Sequence, residues 1–187
     1  MATKKQIVLG IVGMPASGKT VVAEHLAKKK GAFRVHTGDF IWEYLKKRGI
    51  KPTREAGLMA SLYIWAEYGD IPVAAWVLRK IRAAKAKKIL VVDALRTVEE
   101  TRIFKSKFKD NFHLIAVLAG PDVRFDRETK RARYGKTSKL DFRMRDREEL
   151  RVGVGDLISS ADYYIDSNAG MAAVKKQTDK ILKQIQK

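Results

Sequence analysis

Apolar residues along this chain recur in two patterns: short unbroken runs, and longer stretches spaced three and four apart. The runs are Ile7–Val12, Phe33–His36, Lys88–Asp93, His113–Ala119 and Tyr163–Ile165. They are too short for helices and rich in β-branched residues, so they read as strands buried on both faces. Between them lie helical patterns. The first starts near Gly18 (Val21, Val22, Leu26) and stops at Lys28-Lys29-Lys30-Gly31, cations followed by a glycine. Further helices are expected over Phe40–Arg48, Pro52–Tyr68, Ile71–Lys87, Thr97–Phe108, Asp122–Arg133, Leu140–Arg151 and Met171–Ile185. Gly49 and Gly69 supply stops, Pro72 a first turn, and Gly153-Val154-Gly155 a break before Leu157–Ala161 leads into the last strand. Strands alternating with helices predict an α/β fold, one doubly wound parallel sheet of five strands spanning 1–187 as a single domain. Two helical excursions interrupt the alternation, 40–87 and 124–150.

One strand–helix junction changes the picture. Ile7–Val12 runs directly into Gly13-Met14-Pro15-Ala16-Ser17-Gly18-Lys19-Thr20, which fits G-x-x-x-x-G-K-S/T in the strand–loop–helix context of a phosphate-binding loop. Glycines let successive N–H groups turn inward, and the helix start adds unpaired N–H groups and a positive dipole end. In such a loop Lys19 bridges the β- and γ-phosphates of ATP and the Thr20 hydroxyl ligates Mg²⁺.

Charge adds a second question. The chain has 187 residues, with 39 Lys and Arg against 21 Asp and Glu, a net charge of +18. Such a surface attracts polyphosphates, nucleic acid or anionic membranes; a solvated lysine-rich face is the alternative. Aromatic residues do not interleave with the Lys clusters, which weakens the nucleic-acid reading. Cys is absent, which excludes disulfides and thiolate metal sites and favours the cytoplasm. No apolar run is long enough to span a membrane. The first strand follows Met1 so closely that no signal peptide is expected.

Four further groups bear chemistry. Asp93 closes an apolar strand and suits Mg²⁺, usually through water; capping the helix after it is the alternative, although Thr97 is better placed for that. Arg96 suits a phosphate clamp or a surface salt bridge. Asp39, in Thr37-Gly38-Asp39 at a strand end, suits the orientation or deprotonation of an acceptor hydroxyl, or the capping of the helix at Phe40. Arg124, Arg127, Lys130, Arg131, Arg133 and Lys136 form a basic segment that suits a lid closing over transferring phosphates, or a solvated helix. Arg143, Arg145 and Arg147 alternate with acids, so some pairing among them is expected.

These motifs together resemble the P-loop nucleotide kinases. Thr37-Gly38-Asp39 is similar to the adenylate kinase acceptor motif, and Ala161-Asp162-Tyr163-Tyr164-Ile165-Asp166 to dephospho-CoA kinase. An archaeal family of P-loop kinases related to both resembles the chain over nearly its whole length, through Tyr68-Gly69 and through Arg145-Asp146-Arg147-x-Glu149-Leu150 with Gly153-x-Gly155. The resemblance implies ATP and Mg²⁺ as cofactors and an acceptor held by residues 40–87. The chain departs from it in one respect. Adenylate kinases and the archaeal family carry an Arg where this sequence has Trp42, and the family tends to place cations near Ala75 and Trp76. Two Trp in place of cations suit stacking on a base or ring better than gripping a monophosphate; ordinary core packing of both is the alternative.

The expected activity is therefore phosphoryl transfer from Mg-ATP to a nucleotide-like or nucleoside-like acceptor. Lys19, Asp39, Arg96, Arg127 and Arg131 carry the chemistry, Gly13–Thr20 the nucleotide, and Thr20 and Asp93 the metal. A kinase acting on DNA or RNA and an ATP-gated regulatory module remain as other readings. Asn-Lys-x-Asp is absent, which disfavours a guanine-specific switch.

Overall fold

The structure, a computed structural model, describes residues 6–131 and 137–187. Five strands form one sheet: β1 (Ile7–Val12), β2 (Phe33–His36), β3 (Ile89–Asp93), β4 (Phe112–Leu118) and β5 (Tyr163–Asp166). Every pairing is parallel and the order is β2-β3-β1-β4-β5. β1 is therefore central, and the segment after it opens where strand order reverses. Parallel α/β sheets bind ligands at that point.

Alternation along the strands builds two cores. Even-numbered β1 residues Val8 and Val12, with Leu90, Val92, Leu114 and Ala116, pack under helices α4 (Ile71–Ala83), α5 (Val98–Phe108) and α8 (Val154–Ser159). The opposite face (Leu9, Ile11, Val91, Ile115, Val117) packs under α1 (Lys19–Lys30) and α9 (Met171–Ile185) through Val22, Leu26, Val174 and Ile181. Gly10 sits within β1 because a Cβ there would lie 2.6 Å from Leu95 Cδ1 and 2.8 Å from Phe112 Cζ. The doubly wound five-stranded sheet expected from the alternation is what forms.

The remaining helices are α2 (Asp39–Lys47), α3 (Arg54–Tyr68), α6 (Pro121–Arg131) and α7 (Lys139–Arg151). Three local expectations need correction. α4 stops at Ala83 instead of Lys87, so the lysine-rich end is a turn. A 3-10 turn, Lys109–Asn111, precedes β4. Gly153-Val154-Gly155 is not only a break: Gly153, left-handed at φ 106°, starts α8. Arg133 and Lys136 lie outside the described residues. Among those described, no helix is long and apolar enough to cross a membrane.

Candidate active site

The loop from Gly13 to Gly18 has a conformation only its glycines permit at two points. Gly13 has φ 151° and Gly18 φ 106°. A Cβ on Gly13 would stand 2.4 Å from the Val117 carbonyl oxygen and 2.7 Å from Ser17 Oγ; one on Gly18 would stand 2.7 Å from Ser167 Oγ. Ser17 N–H donates to the Met14 carbonyl (3.1 Å), closing the turn. α1 begins at Lys19 with no side-chain cap; Val21 N–H donates to the Gly18 carbonyl (2.9 Å), which leaves the N–H groups of Lys19 and Thr20 without an acceptor within the helix. Lys19 Nζ donates to the carbonyls of Gly13 (2.7 Å) and Met14 (3.0 Å). Burial pulls its pKa down to about 8; Arg96 and Arg145 push the same way, and Glu149 and Asp93 oppose them. Thr20 follows in the first turn of α1, exposed.

Asp93 lies one strand away. In the β1–β3 ladder it stands opposite Ile11, two residues before Gly13. It is 1% exposed. Arg34, on β2, donates to Asp93 Oδ2 from Nε (3.0 Å) and Nη2 (2.5 Å). Oδ1 is buried without a hydrogen-bond partner. A buried carboxylate oxygen left free at the mouth of a phosphate loop suits a hydrated divalent cation, so Asp93 with Thr20 fits Mg²⁺. Helix capping is ruled out for Asp93, because Thr97 caps α5 by accepting from Glu100 N–H (3.2 Å).

The acceptor motif is tied to the same place. Thr37 N–H donates to the Asp93 carbonyl (3.0 Å) and Thr37 Oγ1 to the Ala94 carbonyl (2.7 Å). Thr37 therefore anchors β2's end to the turn after Asp93, a role the sequence reading left unassigned. His36 Nδ1 accepts from Gly38 N–H at 3.0 Å, and a Cβ on Gly38 would meet that ring at 2.8 Å. This close approach explains the glycine. Burial lowers the His36 pKa against the pull of Asp93 and Asp39. Asp39 opens α2 with its side chain 61% exposed, 3.9 Å from His36 Nδ1, and makes no capping hydrogen bond. Its carboxylate is free to act on something outside the chain.

Arg96 is half-exposed and pairs with Glu149 of α7 (3.3 Å). The expected basic lid divides into distinct parts. Arg124 is buried and donates to both carboxylate oxygens of Asp146 (2.7 and 2.6 Å) and to the carbonyls of Pro15 (3.3 Å) and Ala119 (3.2 Å). Arg127 donates to the carbonyls of Ala16 (3.4 Å) and Ser17 (3.3 Å), and to Ser167 Oγ (3.0 Å) and its carbonyl (2.5 Å). Both arginines therefore grip the carbonyl side of the loop and hold its shape. Arg131 is exposed at the end of α6. Arg145 pairs with Glu128 of α6 at 2.5 Å instead of with the acids it alternates with, so α7 is fastened to α6 twice.

Of the two readings of the tryptophans, Trp76 follows core packing. It is 6% exposed, its indole N–H donates to Glu43 Oε2 at 2.9 Å, and it packs edge-on to Phe40. Trp42 is half-buried, with Gly57 of α3 packed so close that a Cβ there would be 3.0 Å from its ring. Sequence reasoning also missed Arg34 and Ser167, and Arg124 as the partner of Asp146, because these pairs are far apart along the chain.

The fold and the loop define a P-loop protein with a kinase-like α/β fold. Comparison with known proteins agrees. Residues 9–151 match the family model described as AAA domain. The chain is 34% identical over 182 residues to a UPF0200 protein of Thermococcus kodakarensis, covering 94% of this chain and 98% of that one. It is 33% identical over 182 residues to a UPF0200 protein of Pyrococcus horikoshii, covering 96% and 97%. The chain belongs to the UPF0200 family. Among solved structures, TT1252 from Thermus thermophilus is similar in fold (TM-score 0.73, 15% identity, 97% of this chain and 98% of that one). So is a shikimate kinase from Acinetobacter baumannii (0.59, 17%, 98% and 95%). A gluconokinase from Sinorhizobium meliloti is a third (0.62, 14%, 97% and 94%).

Proposed function

We propose that this protein transfers the γ-phosphoryl group of Mg-ATP to a nucleotide-like or nucleoside-like small-molecule acceptor. One observation carries the reading. The carboxyl ends of β1, β2 and β3 bring the phosphate loop, Asp93 with its unclaimed oxygen, and the exposed Asp39 to one edge of the sheet. Lys19 leaves its loop carbonyls for the β- and γ-phosphates, and the loop N–H groups take the remaining oxygens. Thr20 and Asp93 would hold magnesium, which would supply neutralisation of charge developing on the phosphates. Asp39 orients the acceptor and receives its hydroxyl proton while the acceptor oxygen bonds to phosphorus and ADP leaves. Arg96 and Arg131 are the cations available for the transferring group; Arg127 acts by keeping the loop in shape. The fold shared with a shikimate kinase and a gluconokinase supports a kinase but does not choose the acceptor.

The test is incubation with γ-labelled ATP against nucleosides, nucleotides, dephospho-CoA and oligonucleotides, with Lys19→Ala as control. Label on a small acceptor that disappears in Lys19→Ala supports the reading. Label retained wholly in ATP across the panel favours an ATP-gated module. Label on oligonucleotides favours a nucleic-acid kinase, the reading that the +18 charge keeps in play.

A further inference from the structure

Helix α3 is packed inside out. Its inward stripe is small, Gly57, Ala60 and Ser61 with Ile64, while its large apolar residues face solvent. Leu58, Met59, Leu62, Tyr63, Trp65 and Tyr68 are 47–65% exposed, and Ile71 at the start of α4 is 69% exposed. At 100° per residue, Trp65, Leu58, Leu62, Ala66, Met59 and Tyr63 follow one another around the helix, so the exposed apolar surface is continuous. With aromatic side chains presenting 150–250 Å² each, these exposures sum to on the order of 900 Å². That exceeds the ~300–600 Å² of the largest apolar patch on a typical monomer and matches the ~800 Å² per partner of a standard interface.

Charge narrows the occupant. The chain carries 39 Lys and Arg, yet residues 55–78 contain none; Glu55, Glu67 and Asp70 are the charges there. Cations border it only at its N-terminal end, where Arg54 opens α3 and Arg48 acts electrostatically on Tyr63, so a polyanion finds no row of them along the helix. An anionic bilayer likewise finds no row of the lysines and arginines that hold amphipathic helices at a membrane surface. Two copies of this chain repel each other over most of their surfaces, but here they can meet without apposing cations. An isologous contact sets the same apolar patch against itself.

We propose that the outer face of α3 is the contact surface of a two-fold symmetric dimer, with Leu62, Trp65 and Ala66 of each copy near the axis. This stands apart from the phosphotransfer reading and does not depend on it.

Light scattering on the full chain at micromolar concentration should give about twice 21.2 kDa, and Leu62→Glu with Trp65→Glu should halve the mass while leaving the circular dichroism spectrum unchanged. Because the chain has no Cys, single cysteines report geometry cleanly even if the charge variant fails to fold. At least one of Leu62→Cys, Tyr63→Cys and Ala66→Cys should oxidise to a cross-linked dimer, and Lys176→Cys on α9 should not. A single-chain mass for the wild type would overturn the proposal. So would a two-chain mass that survives the double charge variant, or cross-linking confined to position 176.

Discussion

Arg34 reaches Asp93 across two neighbouring strands and places two N–H donors on one carboxylate oxygen, Oδ2, leaving Oδ1 buried without a partner. The arginine neutralises the acid without using up its ligand capacity. Removing one member of such a pair leaves a buried charge uncompensated, a cost of about 3–5 kcal/mol. Arg34→Gln should therefore lower the melting temperature markedly, and added Mg²⁺ should raise it by more than in the wild type, since the cation then takes over the lost neutralisation. Calorimetry with and without Mg²⁺ reads both; equal responses to Mg²⁺ in the two proteins would separate Asp93 from the metal.

Lys19 is held near a pKa of about 8 by burial, yet the phosphate binding proposed for it requires a charged ammonium. In the free protein it loses its proton as pH rises through that value, whereas phosphate oxygens stabilise the charged form. ATP affinity should fall as pH rises above about 8, and ATP binding near pH 9 should draw a proton from the buffer. Calorimetry in buffers of different ionisation enthalpy measures that uptake. Lys19→Met should bind weakly with no pH dependence in this range.

Glu100 is 5% exposed, and burial raises its pKa to about 7, with Asp70 pushing the same way and hydrogen bonds from the Arg96 and Thr97 backbone opposing. Below about 4.5 the carboxyl is neutral in both folded and unfolded chains. Between 4.5 and 7 only the folded chain keeps the proton, so stability contributed by this group falls as pH rises, up to ~3 kcal/mol in all. Glu100→Gln should accordingly raise the melting temperature at pH 8 and leave it nearly unchanged at pH 4. A gain equal at both pH values would contradict the buried-carboxyl account.

Arg124 joins α6, α7 and the loop through Asp146 and the Pro15 carbonyl. Arg124→Met should cost several kcal/mol in urea unfolding by stranding Asp146. Arg124→Met with Asp146→Leu should recover much of the stability while ATP binding stays impaired, because the loop has lost its hold. Full recovery of ATP affinity in the double variant would reduce Arg124 to a purely structural residue.

The phosphate loop, the strand count and Asp93's position were legible because each is written in contiguous residues: Gly13–Thr20, five apolar runs, and an acid closing one of them. The burial of Trp76 was not, because an indole ring reads alike in a core and at a stacking site until Glu43 and Phe40 are seen beside it. Arg34 was hidden for a related reason: its partner is 59 residues away. The basic segment was read as one lid because six cations look alike in sequence. Only the carbonyls of Pro15, Ala16 and Ser17 distinguish Arg124 and Arg127, which hold the loop, from Arg131 in solvent.

The most direct test is a crystal structure with a non-hydrolysable ATP analogue and Mg²⁺. Phosphate oxygens within hydrogen-bond reach of the Gly13–Thr20 N–H groups and Lys19 Nζ, with the metal on Thr20 Oγ1 and facing Asp93 Oδ1, are expected. A nucleotide seated elsewhere, or a loop in which Lys19 keeps its bonds to the Gly13 and Met14 carbonyls in the presence of the analogue, would contradict the account.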